Sequence, residues 1–151
     1  MNKSHIIGPQ LGTGSQTLSL GDQIREYAKV VNRRIDHVHR NLGLMLFTSI
    51  VYDTPVDTGL ARGSWFPSKG APVMGGAQRY DKDGSTVTRQ IQEICMSAKL
   101  TDVLFMMNNV EYIGELEYGW SGQAPEGMVR INVARMRRMI KEIVARAKEI
   151  K

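Results

Sequence analysis

Between Pro9 and Pro55 the chain holds no proline, and inside that interval apolar residues recur at Ile24, Ala28, Val31, Ile35, Val38, Leu42, Met45 and Tyr52. Only Ser49 breaks the pattern. The spacing alternates four and three, the rhythm of a narrow helical stripe that packs along another helix or a sheet. Ser19 followed by Asp22 is a capping-box-like start, with a carboxylate placed at the positive helix end. A helix from about Leu20 to Tyr52 measures roughly 50 Å, whereas a small domain is only about 30 Å across. Two readings follow: the helix breaks or bends near Gly43, or part of its stripe packs on a neighbouring subunit.

Pro55, Asp57 and Gly59 end that helix in a turn. Leu60 to Pro67 then alternates as a short strand, and Ser68 to Gly84, with four glycines and a proline, reads as a long loop that orders on partners. Ser85 is placed to cap a helix whose inner face is Val87, Ile91, Ile94 and Ala98. Asp102 to Met107 reads as a buried strand, and Asn108-Asn109 as a turn. Tyr112, Ile113 and Leu116 suggest a short helix ended by Gly119. Pro125 and Glu126 mark the start of a last helix with the stripe Val129, Val133, Met136, Ile140, Ile143 and Ala147. This pattern predicts an α+β fold: a long N-terminal helix and a C-terminal helix packed on a small, mainly antiparallel sheet. Residues 1–17, rich in Gly, Ser and Thr, read as a flexible arm, and residues 18–151 as a single domain.

Composition narrows the function. The single cysteine, Cys95, excludes an internal disulfide framework and a cysteine-built zinc site, and its apolar neighbour Ile94 suits a small buried side chain. No apolar run reaches the roughly 18–20 residues of a membrane span, and the N-terminus lacks the apolar core of a signal peptide. His37 and His39 stand two apart on a helix, on different faces, as solvated side chains rather than metal ligands. Glu115 and Glu117 have the same spacing and are likewise split around a helix. Gly12-Thr-Gly14 lacks the strand and third glycine of a dinucleotide loop. The expectation is a chain that is no enzyme and needs no cofactor or metal.

The formal net charge is +5, and the segment from Glu126 to Lys151 alone carries eight basic and three acidic residues, so all of the excess lies there. An Arg-rich helix suits sequence-independent contact with phosphates, and Arg137, Arg138 and Lys141 are the candidate DNA-facing residues. No aromatic is interleaved among them and no base-reading motif is present, which leaves a solvated polar face as the competing account.

Two segments carry a family resemblance. The first is Thr54-Pro55-Val56-Asp57-Thr58-Gly59-Leu60-Ala61-Arg62-Gly63-Ser64-Trp65. The second runs from Asn108 through Tyr112, Glu117-Tyr118-Gly119-Trp120, Gln123-Ala124-Pro125 and Gly127-Met128 to Arg130. In this order, after a long helix and before a C-terminal helix, they resemble the neck or tail-completion proteins (neck protein type 1, minor tail protein-like) of long-tailed bacteriophages. The likeness covers roughly residues 18–150 and departs from the pattern at Glu111 and Gly122. It implies a structural virion protein of the head–tail connection, forming a ring, hexameric to match tail symmetry, that completes the tail and joins it to the DNA-filled head. Implied partners are further copies, adjoining neck, head-completion and tail-terminator proteins, and genomic DNA in the channel, with no membrane. Assembly would take place in the bacterial cytoplasm. The alternatives are a tail-terminator ring of the same assembly, or a nucleic-acid-binding protein using the Arg-rich helix.

The structural motif residues under this reading are Thr54, Pro55, Asp57, Thr58, Gly59, Arg62, Trp65, Tyr112, Glu117, Gly119, Gln123, Pro125 and Gly127. Asp57 is expected to hydrogen-bond its own turn, and Arg62 to pair with Glu117 across the two segments. Tyr118, Trp120 and Met128 are the candidate subunit-interface residues, because aromatic side chains supply large amphipathic area at contacts. Trp65 suits a core position at least as well.

Overall fold

The computed structural model describes residues 18–73 and 76–149. The expected N-terminal arm, residues 1–17, lies outside the described residues. Helix α1 (Leu20–Asp53) runs unbroken for 34 residues. The Ser19 hydroxyl accepts the Asp22 backbone N–H at 3.2 Å and donates to the Asp22 carboxylate at 2.6 Å, completing the predicted cap. Gly43 is no break. It is buried, and a Cβ there would stand 2.7 Å from Leu104 Cδ1 and 3.2 Å from Cys95 Sγ. The missing side chain is a notch that lets two other elements approach the helix.

After α1 the chain folds as α2 (Leu60–Gly63), β1 (Trp65–Lys69), α3 (Ser85–Ser97), β2 (Leu104–Asn108), α4 (Ile113–Glu117) and α5 (Val129–Ala147). The sheet is one antiparallel pair, with Trp65 opposite Asn108 and Lys69 opposite Leu104. Two strands alone are marginal, so this pair depends on the helices against it. Those helices are α1 and α3, which share the core: Phe47, Ile50 and Val51 from α1, Val87, Ile91 and Cys95 from α3, with Trp65 and Met128. Burying each aliphatic side chain contributes about 1.5–3 kcal/mol, and Ile91→Ala, at a site with no exposure, costs about 2–5 kcal/mol. Helix α5 lies antiparallel on α1, since Asn132 and Arg135 meet Asp53 while Val144 and Ala147 meet Val31 and Ile35.

Several local expectations are corrected. The strand begins at Trp65 rather than Leu60, because Leu60–Gly63 closes a helical turn in which Gly63 N–H donates to Gly59 C=O at 2.8 Å and Ser64 N–H to Leu60 C=O at 3.0 Å. Strand β2 is half-buried rather than fully covered. Ser85 does not cap α3. The Asp81 carboxylate does, accepting from Gly84, Thr86 and Val87 N–H groups at 3.0, 2.9 and 3.4 Å, while Asp83 accepts from Ser85 N–H at 2.9 Å.

The connection after β1 is likewise held by the chain itself. Arg79 donates to Trp65 C=O at 3.0 Å and Gln90 Oε1 at 2.8 Å, with its guanidinium 4.6 Å from the Phe66 ring centre. These contacts tie the connection at Arg79 to β1 and α3.

Helix α5 starts at Val129, four residues beyond Pro125. Its stripe is also rotated: the buried residues are Asn132, Met139, Ile143 and Ala147, while Val133 and Ile140 face outward. The polar Asn132 sits in the interface because its amide donates to Asp53 Oδ2 and Met128 C=O, both at 2.8 Å, and Arg135 adds an ion pair to Asp53 at 3.1 Å.

Candidate assembly surface

The two segments that carry the resemblance meet beside the C-terminal end of α1. Thr54 closes that helix, its hydroxyl donating to Ile50 C=O at 2.7 Å and accepting the Trp65 indole N–H at 2.8 Å. Both side chains are buried, so Trp65 is a core residue. Arg62 turns its planar fork onto the last carbonyls of the helix. It donates to Tyr52 C=O at 2.9 Å, to Thr54 C=O at 2.9 and 3.3 Å, and to Lys82 C=O at 2.9 Å. A cation there satisfies acceptors that the helix leaves open and opposes the negative end of its dipole. The expected Arg62–Glu117 pair is therefore absent: Arg62 is engaged on backbone oxygen, a geometry that sequence spacing does not reveal.

Glu117 caps α5 instead. Its carboxylate accepts backbone N–H groups of Met128, Val129 and Arg130 at 3.0, 2.8 and 2.9 Å, and Arg130 Nε at 3.2 Å. Desolvation opposes its ionisation, but these four donors outweigh it and hold the carboxyl below the usual range. Gly127 must be glycine here, because its φ is +79° and a Cβ would lie 2.3 Å from Glu117 C=O. Neither Pro125 nor Glu126 caps the helix, for both precede its first turn.

Gln123 joins the segments. Its amide oxygen accepts Val56 N–H at 2.9 Å and its amide nitrogen donates to Val56 C=O at 3.0 Å, as a strand partner would. In the intervening turn Thr58, rather than Asp57, accepts the hydrogen bond, from Leu60 N–H at 3.3 Å. Asp57 is exposed. Gly59 has φ +89°, and a Cβ there would stand 2.8 Å from Lys82 N, so the turn and the chain before α3 touch through backbone. Around the turn lies an open cleft of about 440 Å³, lined by Pro55–Ala61, Tyr80, Tyr112, Leu116, Ser121 and Gln123.

Of the three candidate interface residues, two face outward. Trp120 is 78% exposed, and Tyr118 is exposed with the Arg130 guanidinium 5.0 Å from its ring centre. Met128 is not at the surface: it is fully buried among the core residues. Arg137, Arg138 and Lys141 are exposed on α5, with Arg138 3.8 Å from Glu142. Arg137 and Lys141, four residues apart, share the outward side of the helix with Ile140 and Val144.

Among the described residues no three of His, Cys, Asp and Glu lie close enough to hold a metal ion, and no helix is long and apolar enough to cross a membrane. His39 departs from the solvated reading, since its Nε2 is buried without a hydrogen-bond partner. Cys95 is fully buried, and desolvation pushes its thiol up to about 11. Comparison of the chain with protein-family models, with curated proteins and with solved structures gave no match. The functional reading therefore rests on the residues and their geometry.

Proposed function

We propose that this chain is a structural, non-enzymatic subunit of the head–tail connection of a long-tailed bacteriophage, assembling as a ring that completes the tail and joins it to the DNA-filled head. One observation carries the reading. The two segments that resemble the neck-protein pattern come together, and their polar side chains are spent on the backbone: Thr54 and Arg62 on the end of α1, Gln123 on Val56, Glu117 on α5. Asp57 remains exposed at the rim of the cleft, in the turn between α1 and α2. What these anchors hold outward is Tyr118 and Trp120, near an open cleft of mixed polar and apolar lining, an aromatic presentation that suits contact between subunits. Adjoining neck, head-completion and tail-terminator proteins would meet that face.

The outward row of Arg137 and Lys141 fits sequence-independent contact with DNA in the channel as a secondary role. The test is electron microscopy of phage particles assembled without this protein. Filled heads beside separate tails support the proposal, and intact infectious particles refute it.

A further inference from the structure

Helix α5 does not bury the middle of its apolar arc. At about 100° per residue, Met139, Ile143, Met136, Ile140, Val133 and Val144 fall in that order within roughly 140°, and the one polar residue among them is Asn132. The side turned to α1 is centred near Asn132, roughly 40° from the middle of the arc. Asn132 and Met139 are therefore buried while Val133, Ile140 and Val144 stay exposed. This placement is costly. Asn132 has no exposure, and its Oδ1 finds no donor among the described residues. Beside the exposed part of the arc, an open groove of about 400 Å³ lies between Val144 and Ala147 of α5 and Val31, Ile35 and Val38 of α1. The groove on the other flank, about 300 Å³, includes His37, Asn41, Arg146 and Glu149. A roll of α5 by roughly 40° about its own axis would bury Ile140, bring Val144 into the apolar groove and carry Asn132 and Met139 toward the polar flank.

We infer that α5 has two seats on α1 and that Asp53 is the latch that selects the observed one. The ties that oppose the roll end on a single carboxylate oxygen: Asn132 Nδ2 donates to Asp53 Oδ2 at 2.8 Å, and Arg135 reaches the same atom at 3.1 Å. Arg135 and Asp53 are both substantially exposed, so their ion pair is weak by itself. The buried amide is the tie that specifies the rotation, as one polar residue in a helix interface fixes register at a cost in stability. Other contacts do not choose between the seats. The second Asn132 bond, to Met128 C=O at 2.8 Å, lies within the start of the helix and turns with it. The Glu117 cap grips backbone N–H groups, which point along the helix axis. Val129, already packed against the core, follows the roll into the place of Met128. Without Asp53, Asn132 would keep a buried N–H as well as a buried oxygen unpaired, and the roll relieves both. The latch thus sets the outward face of α5: Val133, Ile140 and Val144 in the observed seat, Met139 and Asn132 in the other.

Thiol labelling of the full chain tests it, since the native Cys95 is fully buried. Met139→Cys and Ile140→Cys, made separately, place reporters at neighbouring positions that are 7% and 37% exposed in the observed seat. With Asp53 intact, the Ile140→Cys thiol is expected to react roughly tenfold faster than the Met139→Cys thiol, because access controls the rate. In the Asp53→Ala background the order is expected to reverse. Asp53→Asn, which keeps a carbonyl oxygen for Asn132, is expected to restore it. The reciprocal exchange separates a roll from a loosening, since a detached or unfolded α5 exposes both thiols. An unchanged order in Asp53→Ala, or fast labelling of both positions, would overturn the inference. A reversal in Asp53→Asn as well would overturn the amide as the selecting tie and leave that role to the Arg135 ion pair.

Discussion

Replacing Glu117 by glutamine removes a charge and one acceptor oxygen while keeping the shape of the side chain. In the native fold the carboxylate meets three consecutive backbone N–H groups at 2.8–3.0 Å, and its side chain is only 16% exposed, so solvent screens it little. Losing such a cap costs about 0.5–2 kcal/mol, and losing the charge at the positive helix end adds about 0.3–1 kcal/mol. We expect a loss of about 2 kcal/mol at pH 7, or about 4–8 °C in Tm for a chain of 151 residues. The pH dependence has a definite sign. The folded carboxyl titrates below its unfolded value of about 4.5, so its stabilisation is complete above that pH and fades as pH falls through the folded value. Urea unfolding of both proteins at pH 7 and at pH 3 provides the assay. The gap between them should be full at pH 7 and smaller at pH 3. A difference under about 0.5 kcal/mol at pH 7, or one unchanged on acidification, would refute the capping role.

Further outcomes follow from the same geometry. Thr54→Val strands the buried Trp65 indole N–H and Ile50 C=O, and should cost about 1–3 kcal/mol in urea unfolding, with a changed Trp fluorescence spectrum in the native state. Cys95, buried and titrating near 11, should react with a thiol reagent in native protein only at the rate of opening, and at full rate in denaturant. Trp120→Ala removes an exposed ring, so monomer stability should stay within about 0.5 kcal/mol. The same variant should weaken assembly, as read by sedimentation.

Much of the architecture was legible because its signals are local. Ser19 and Asp22 mark their helix start within one turn, Pro55 its end, and Gly119 the stop of α4, while the two strands sit between recognisable breaks. What was not legible depends on contacts far apart in the chain. The cap of α5 comes from Glu117, eleven to thirteen residues before its donors, so Pro125 offered the stronger local cue and misplaced the start. The rotation of α5 follows from Asn132 and Arg135 reaching Asp53, about eighty residues away, and a polar residue in an interface inverts the usual pattern. Gly43 reads as a helix breaker, yet it is an opening for Leu104 and Cys95. At the site, Trp120 and Tyr118 were found as exposed aromatics next to glycine. Met128 was misplaced because nothing nearby in sequence shows that the core closes over it, and Arg62 because backbone carbonyls leave no trace in side-chain spacing.

Where the protein sits in an assembled particle tests the central claim most directly. A short epitope added to the chain and visualised with gold-labelled antibody on complete phage should place the label at the junction of head and tail. Label spread over the capsid or confined to the tail tip, or particles that contain none of the chain, would contradict the account.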